Sequence, residues 1–153
     1  MSIHPRWSEA ILDGTKTIEL RRRAPTRPLS HLVIYATSPI SRIVGWAEVD
    51  NVDRDTPAKL WNRWRTKAGV SQSEFKSYFD GSDLGYAILL SSAQRISEPL
   101  KLSTIGIARP PQSFQYLNGD ARLIPGLGVC ENADRIVDLR ATDTSVFQAT
   151  LVS

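Results

Sequence analysis

The sequence predicts an α+β domain built on a mixed, curled β-sheet flanked by short helices. Three observations carry this reading. Runs rich in β-branched and aromatic residues (LVIYAT at 32–37, YAILLSSAQRI at 86–96) are interspersed with helix signals but do not alternate regularly with them, which argues against a doubly wound sheet. The helix signals are short and carry their own start residues, as in Thr56-Pro57 and Ser71-Gln72-Ser73-Glu74. A chain of 153 residues with 41% hydrophobic content fits one domain, or one domain with a tail, and can bury a real core.

The elements follow in chain order. Pro5 to Leu12 reads as a helix, with proline suited to the first turn, Trp7, Ala10 and Ile11 at helical spacing, and Gly14 just past the end. Thr15 to Arg21 reads as a strand, and residues 24–30, with two prolines, as a loop. Leu32 to Thr37 is a buried strand and Ser38-Pro39 a turn. Ser41 to Val52 is a longer strand in which Gly45 marks a bulge or a close backbone approach. A helix starts at Thr56-Pro57 and ends by Gly69. Its Leu60, Trp61 and Trp64 share one face, the spacing of core residues, with base stacking by the two tryptophans as the alternative, while Lys59, Arg63 and Lys67 share another, the spacing of a solvated stripe or of an extended phosphate track. The capping box at Ser71 opens a helix from Gln72 to about Phe79. Tyr86 to Ile96 is the next strand. Short helical turns are expected at Ser103–Ile107 and Asn118–Leu123, around a loop at Arg109–Ser113. This division gives a domain over 1–125 and a loosely packed C-terminal extension over 126–153.

Composition excludes several classes. No apolar run approaches the roughly 20 residues that cross a bilayer, and the N-terminal segment lacks a cleavable signal pattern, so a soluble, cytoplasmic protein without a membrane partner is expected. Cys130 is the single cysteine, which excludes an internal disulfide; with only His4 and His31 besides, no metal site and no cofactor is expected. Nothing in the pattern specifies an oligomeric state. The net charge of +3 is unevenly placed: six basic residues against three acidic ones precede Pro28, and the remainder carries thirteen of each sign. That placement suits an anionic partner such as a nucleic acid.

The charge excess centres on GTKTIELRRR, residues 14–23. Glu19 and Arg21 are two apart and share a strand face, so the carboxylate can orient the guanidinium or act as a base. Lys16 falls on the opposite face under strict alternation and joins them only if the strand begins after it or is bulged there. Lys16 is read as a phosphate contact, nucleophile or base, and Arg22 and Arg23 as phosphate contacts. Ser38 in its turn and Arg109, Gln112 and Ser113 in their loop are further polar loop candidates. His4, Tyr35 and Tyr78 are weaker ones.

Gly14, Lys16, Glu19 and Arg21 fit the G-x-K-x-x-E-x-R pattern of the ASCH domain, a relative of the PUA fold with a pseudo-barrel sheet. The preceding helix, VIYATSP at 33–39 and IVGWAEV at 43–49 resemble the family's neighbouring elements, and the resemblance covers about Ser2 to Ile96. It implies RNA or another nucleic acid, or a nucleotide-like ligand, in a basic cleft beside the signature strand, with Lys16, Glu19, Arg21, Arg22, Arg23, Ser38, Arg109 and Gln112 as binding residues. Some family members are enzymes, which implies an alternative: a metal-independent ribonuclease, or an amidohydrolase on acetylated cytidine nucleosides, with Lys16, Glu19 and Ser113 in catalytic roles. The acetyl-removing members carry threonine where this chain has Glu19. Their further glutamate aligns near Lys67 or Ala68, where this chain has no acid; Glu74 is the nearest.

Overall fold

The computed structural model describes residues 1–23, 25–117 and 119–127. Its elements are β1 (Ser2–Ile3), α1 (Pro5–Leu12), β2 (Ile18–Arg21), β3 (His31–Ala36), β4 (Arg42–Asp55), α2 (Pro57–Trp64), α3 (Gln72–Tyr78) and β5 (Gly85–Leu100), followed by 3-10 turns at Leu102–Ile105 and Gly119–Leu123. Most of the expected extension over 126–153, with Cys130, lies outside the described residues. Among the described residues no helix is long and apolar enough to cross a membrane.

The five strands form one mixed sheet in the order β1-β3-β4-β5-β2. Only β1 pairs in parallel, with β3; the other neighbours are antiparallel. β4 and β5 make a long ribbon whose register shifts at three places, and such irregularities add twist and curl. The sheet does not close into a barrel by strand pairing, since β1 and β2 are its two edges. It curls far enough for a side chain to span the gap: Arg21 Nη2, at the end of β2, donates to the Ser2 carbonyl on β1 at 3.0 Å.

Three apolar clusters hold this shape. Ile11 of α1 packs on Leu32, Ile34, Val44 and Ile88 of the sheet. Leu60 of α2 and Phe75 of α3 pack with Phe79 on Ile18, Leu20 and Ala87, and Trp61 and Trp64 lie against this cluster, which is the core role their spacing predicts. Tyr35, Ile43 and Trp46 face the opposite side, under Ile105 of the first 3-10 turn and Ile124 just past the second. Trp46 Nε1 also donates to the Pro125 carbonyl at 3.3 Å, so the chain is still packed at the boundary expected for a loose tail. Covering β3 and β4 on both faces explains why LVIYA is apolar without alternation.

Local chemistry sets the element ends. Pro5 opens α1, and Gly14 follows it at φ +75°, a left-handed conformation that glycine adopts without a Cβ clash. The capping box of α3 is complete: Ser71 Oγ accepts from the Glu74 N–H, and the Glu74 carboxylate accepts from the Ser71 N–H at 2.8 Å. Gly45 is a close-approach point, since a Cβ there would stand 2.3 Å from the Gln94 carbonyl oxygen. The helix at Thr56 departs from expectation in detail. The Thr56 side chain makes no capping bond; the Asp55 carboxylate accepts the Thr56 N–H instead. The two-residue β1 was not predicted, because two residues give no readable alternation.

Candidate functional site

The strand expected over 15–21 begins only at Ile18. Lys16 therefore lies in the loop before β2, freed from strand alternation, and its side chain turns to the same side as Glu19. The Thr17 and Ile18 N–H groups donate to the Lys67 carbonyl, which ties this loop to the turn after α2. Gly69 makes room for it: a Cβ at residue 69 would lie 3.2 Å from Lys16 Cβ.

Lys16 is 2% exposed and Glu19 7% exposed. Lys16 Nζ donates to the Ile18 and Ala68 carbonyls, both at 2.6 Å, and sits 3.4 Å from Glu19 Oε2. Two of the three ammonium protons are thus held by backbone carbonyls, and the charge is paired with Glu19. Burial pushes the Lys16 pKa down, against the pull of the Glu19 carboxylate. Glu19 Oε1 accepts from Arg21 Nη2 at 2.8 Å. Arg21 Nε meets Met1 Sδ at 3.2 Å, and Arg21 Nη2 also reaches the Ser2 carbonyl. The carboxylate is thus clamped between two fixed cations at the seam where the sheet edges approach. Backbone acceptors that an open sheet edge leaves unpaired are taken up here by cationic side chains.

This triad lines a cleft of about 640 Å³ between β1 and α1 on one side and α3 on the other. Trp7, Phe75 and Tyr78 add aromatic surface. His4 stands on the wall, its Nδ1 accepting from the Arg6 N–H at 3.2 Å as the cap of α1. That bond assigns the remaining proton of a neutral ring to Nε2, making it a donor. Arg6 lies over the Trp7 ring at 3.7 Å and pairs with Glu74 across the cleft from α3. The Arg6 hydrogen bond, with the Ser71 bonds, holds the Glu74 carboxyl well below the usual carboxylate range.

The structure brings Lys16, Glu19 and Arg21 together, but it changes two expectations. Lys16 is buried, with two of its protons on backbone carbonyls and its charge paired with Glu19, rather than an open phosphate contact. The cleft is also not strongly basic: Arg6, Lys16 and Arg21 face Glu19 and Glu74, close to balance. Arg22 and Arg23 are exposed at the end of β2, with the Arg22 guanidinium 5.2 Å from the Tyr78 ring. Ser38, Arg109 and Gln112 are exposed and are not among the residues that line the cleft. Ser113 contributes its backbone: its carbonyl accepts the Ser2 N–H at 3.0 Å and so fixes Ser2 at the cleft edge. Tyr35 is buried in the third cluster. Lys59 and Arg63 pair with Asp55, and Arg63 also with Asp53, while Lys67, past the end of α2, lies over the Trp64 ring. Sequence reasoning missed Ser2, Arg6, Trp7 and Ser73 in the cleft. Of these only Arg6 carried a signal, its charge in the basic N-terminal segment. Among the described residues no three His, Cys, Asp or Glu side chains converge as metal ligands.

Comparison with known proteins fits this architecture. The ASCH domain model matches residues 1–94. An ASCH domain-containing ribonuclease of Zymomonas mobilis is 34% identical over 122 residues, covering 76% of this chain and 82% of the relative. The crystal structure of the ASCH protein from Zymomonas mobilis superimposes with a TM-score of 0.75 at 32% identity, over 80% of this chain and 90% of that one. A mutant form of that protein gives 0.73, also at 32% identity, over 78% and 89%. With the signature triad at the sheet seam and this agreement over most of its length, the chain belongs to the ASCH domain family.

Proposed function

We propose that the chain binds a strand of RNA at this cleft and cleaves it without a metal ion. The observation that carries the reading is Glu19, a buried carboxylate held between Lys16 and Arg21 on the cleft floor. The resemblance to a relative named as a ribonuclease adds support. The cleft volume suits about one nucleotide, within the usual range of roughly 300–1,000 Å³ for small-molecule sites. Its aromatic lining suits a base turned out of a single strand.

The chemistry follows from the clamp. The 2′-hydroxyl oxygen attacks the adjacent phosphorus while Glu19 takes the hydroxyl proton. The bond from phosphorus to the 5′ oxygen breaks, and that oxygen takes a proton from solvent in the open cleft. Among the described residues Arg21 Nη1 has no hydrogen-bond partner, so it is free to meet the charge that grows on a phosphoryl oxygen. Lys16 is a positioning residue, since two of its protons are held by backbone carbonyls and its buried charge is paired with Glu19.

End-labelled single-stranded RNA incubated with the protein, with and without EDTA, tests this on native and denaturing gels beside Glu19→Gln. Shortened RNA that persists in EDTA and disappears in the variant is the expected result. A mobility shift with intact RNA would replace the reading with a pure RNA-binding module. Neither effect at low salt would overturn RNA as the ligand.

A further inference from the structure

The cleft is near charge balance, yet the N-terminal segment holds the protein's whole net charge. The excess is carried by the connection between β2 and β3. Arg22 and Arg23 are exposed, Arg27 is half-buried, and none of the three makes an ion pair among the described residues. Two tyrosines flank this connection. The Arg22 guanidinium lies 5.2 Å from the Tyr78 ring centroid, and Tyr78 is a cleft wall residue, 36% exposed. The Arg27 guanidinium lies 4.9 Å from the Tyr116 centroid, and the Arg27 N–H donates to the Tyr116 hydroxyl at 2.9 Å.

The segment that carries Tyr116 is fastened to the cleft edge. Ser2, which lines the cleft, donates its hydroxyl to the Pro111 carbonyl at 2.6 Å and its N–H to the Ser113 carbonyl at 3.0 Å. The arginine connection therefore meets a fixed aromatic segment beside the cleft mouth. Three unneutralised guanidinium groups between two tyrosine faces suit alternating phosphates and unpaired bases. Guanidinium takes phosphate oxygens bidentately, and an aromatic ring stacks on a base only when that base is not inside a duplex.

We propose that Arg22, Arg23 and Arg27, with Tyr78 and Tyr116, form a second subsite that holds single-stranded RNA flanking the nucleotide in the cleft. The inference rests on the RNA reading above and adds that the substrate is a strand several nucleotides long. It also separates two tasks. The cleft holds the reacting nucleotide, and the rim supplies most of the affinity through charge.

The test reads binding, not cleavage. Fluorescence anisotropy would follow labelled 2′-O-methyl RNA, which has no attacking hydroxyl, at lengths of two, four and eight nucleotides, and an eight-base-pair duplex. The wild type should bind the eight-nucleotide strand roughly tenfold or more tighter than the dinucleotide, and tighter than the duplex. Arg23→Ala/Arg27→Ala should weaken the long strand about tenfold, leave the dinucleotide unchanged, and reduce the log–log salt slope by about 1.4, at roughly 0.7 per phosphate for a single strand. Tyr116→Leu should weaken the long strand while leaving the salt slope unchanged. Arg23→Ala alone alters an exposed side chain and should show part of the same length-dependent loss, which guards against a folding artefact at Arg27. Equal affinity for two and eight nucleotides, equal losses at every length, or equal binding of the duplex would overturn the rim while cleavage of unmodified RNA could still stand. No binding of any oligonucleotide would overturn both.

Discussion

Replacing Lys16 with methionine tests the clamp most directly. Methionine keeps nearly the same length and removes the ammonium. The Ile18 and Ala68 carbonyls then lose donors at 2.6 Å, and Glu19 loses one of its two cations. Hydrogen bonds from charged groups are worth about 1.5–3 kcal/mol each. Breaking a buried pair from one side costs about 3–5 kcal/mol, less here because Arg21 remains on Glu19. The buried ammonium no longer has to be desolvated, and that gain offsets a large part of the loss. A net destabilisation of about 2–4 kcal/mol is expected, or a fall in Tm of roughly 5–15 °C for a chain of this size. Glu19→Gln should also destabilise, because it leaves the Lys16 and Arg21 cations facing one another. The double variant should recover part of the sum, with a coupling of about 1–3 kcal/mol between directly interacting sites. The assay is urea unfolding of the wild type, both single variants and the double variant. Losses that add with no coupling, or a Lys16→Met protein as stable as the wild type, would refute the clamp.

Three other outcomes follow from the same contacts. Because burial lowers the Lys16 pKa, the unfolded chain binds more protons between that lowered value and 10.5, so this group's contribution to stability rises with pH through that window. The stability of the wild type relative to Lys16→Met should therefore increase on going from pH 7 toward pH 10, as read by urea midpoints. Glu74 has the same sign in a more acidic window: its lowered pKa means the stability it contributes is present above its ordinary value of 4.5 and is lost on acidification below that, so Glu74→Gln should flatten the acid limb of the unfolding curve. Gly45→Ala drives a Cβ against the Gln94 carbonyl and Leu12 Cδ2, so a loss of about 3 kcal/mol or more is expected in thermal unfolding, at the upper end of the overpacking range.

Most of the fold was legible because its signals are local. Pro5 and Gly14 bracket α1, the Ser71 capping box starts α3, and Gly45 announces a crowded backbone. The cap signals depend on residues within one turn of each other, whereas the atoms that crowd Gly45 belong to Gln94 and Leu12, far off in sequence. Boundaries were less legible. The strand expected from Thr15 begins at Ile18, because the Thr17 and Ile18 N–H groups are taken by Lys67, fifty residues away in sequence. That tertiary bond also decides the candidate site, since it releases Lys16 from strand alternation. The loop residues Ser38, Arg109 and Gln112 show the opposite limit. Their polarity and turn context suit a binding loop, but whether a loop reaches a cleft depends on distances no local pattern encodes.

By itself the sequence determined the α+β class, the helix starts, the core role of Leu60, Trp61 and Trp64, and the signature residues Lys16, Glu19 and Arg21. Periodicity, capping and turn chemistry act between near neighbours, so they survive in a linear reading. Only the tertiary structure decided how charge is distributed around the cleft. Curling of the sheet sets Arg21 of one edge against Ser2 of the other, α3 brings Glu74 to Arg6, and the segment near Tyr116 returns to Arg27. Each of those pairings joins residues 19 to 89 positions apart, and only a packed core can fix such distances.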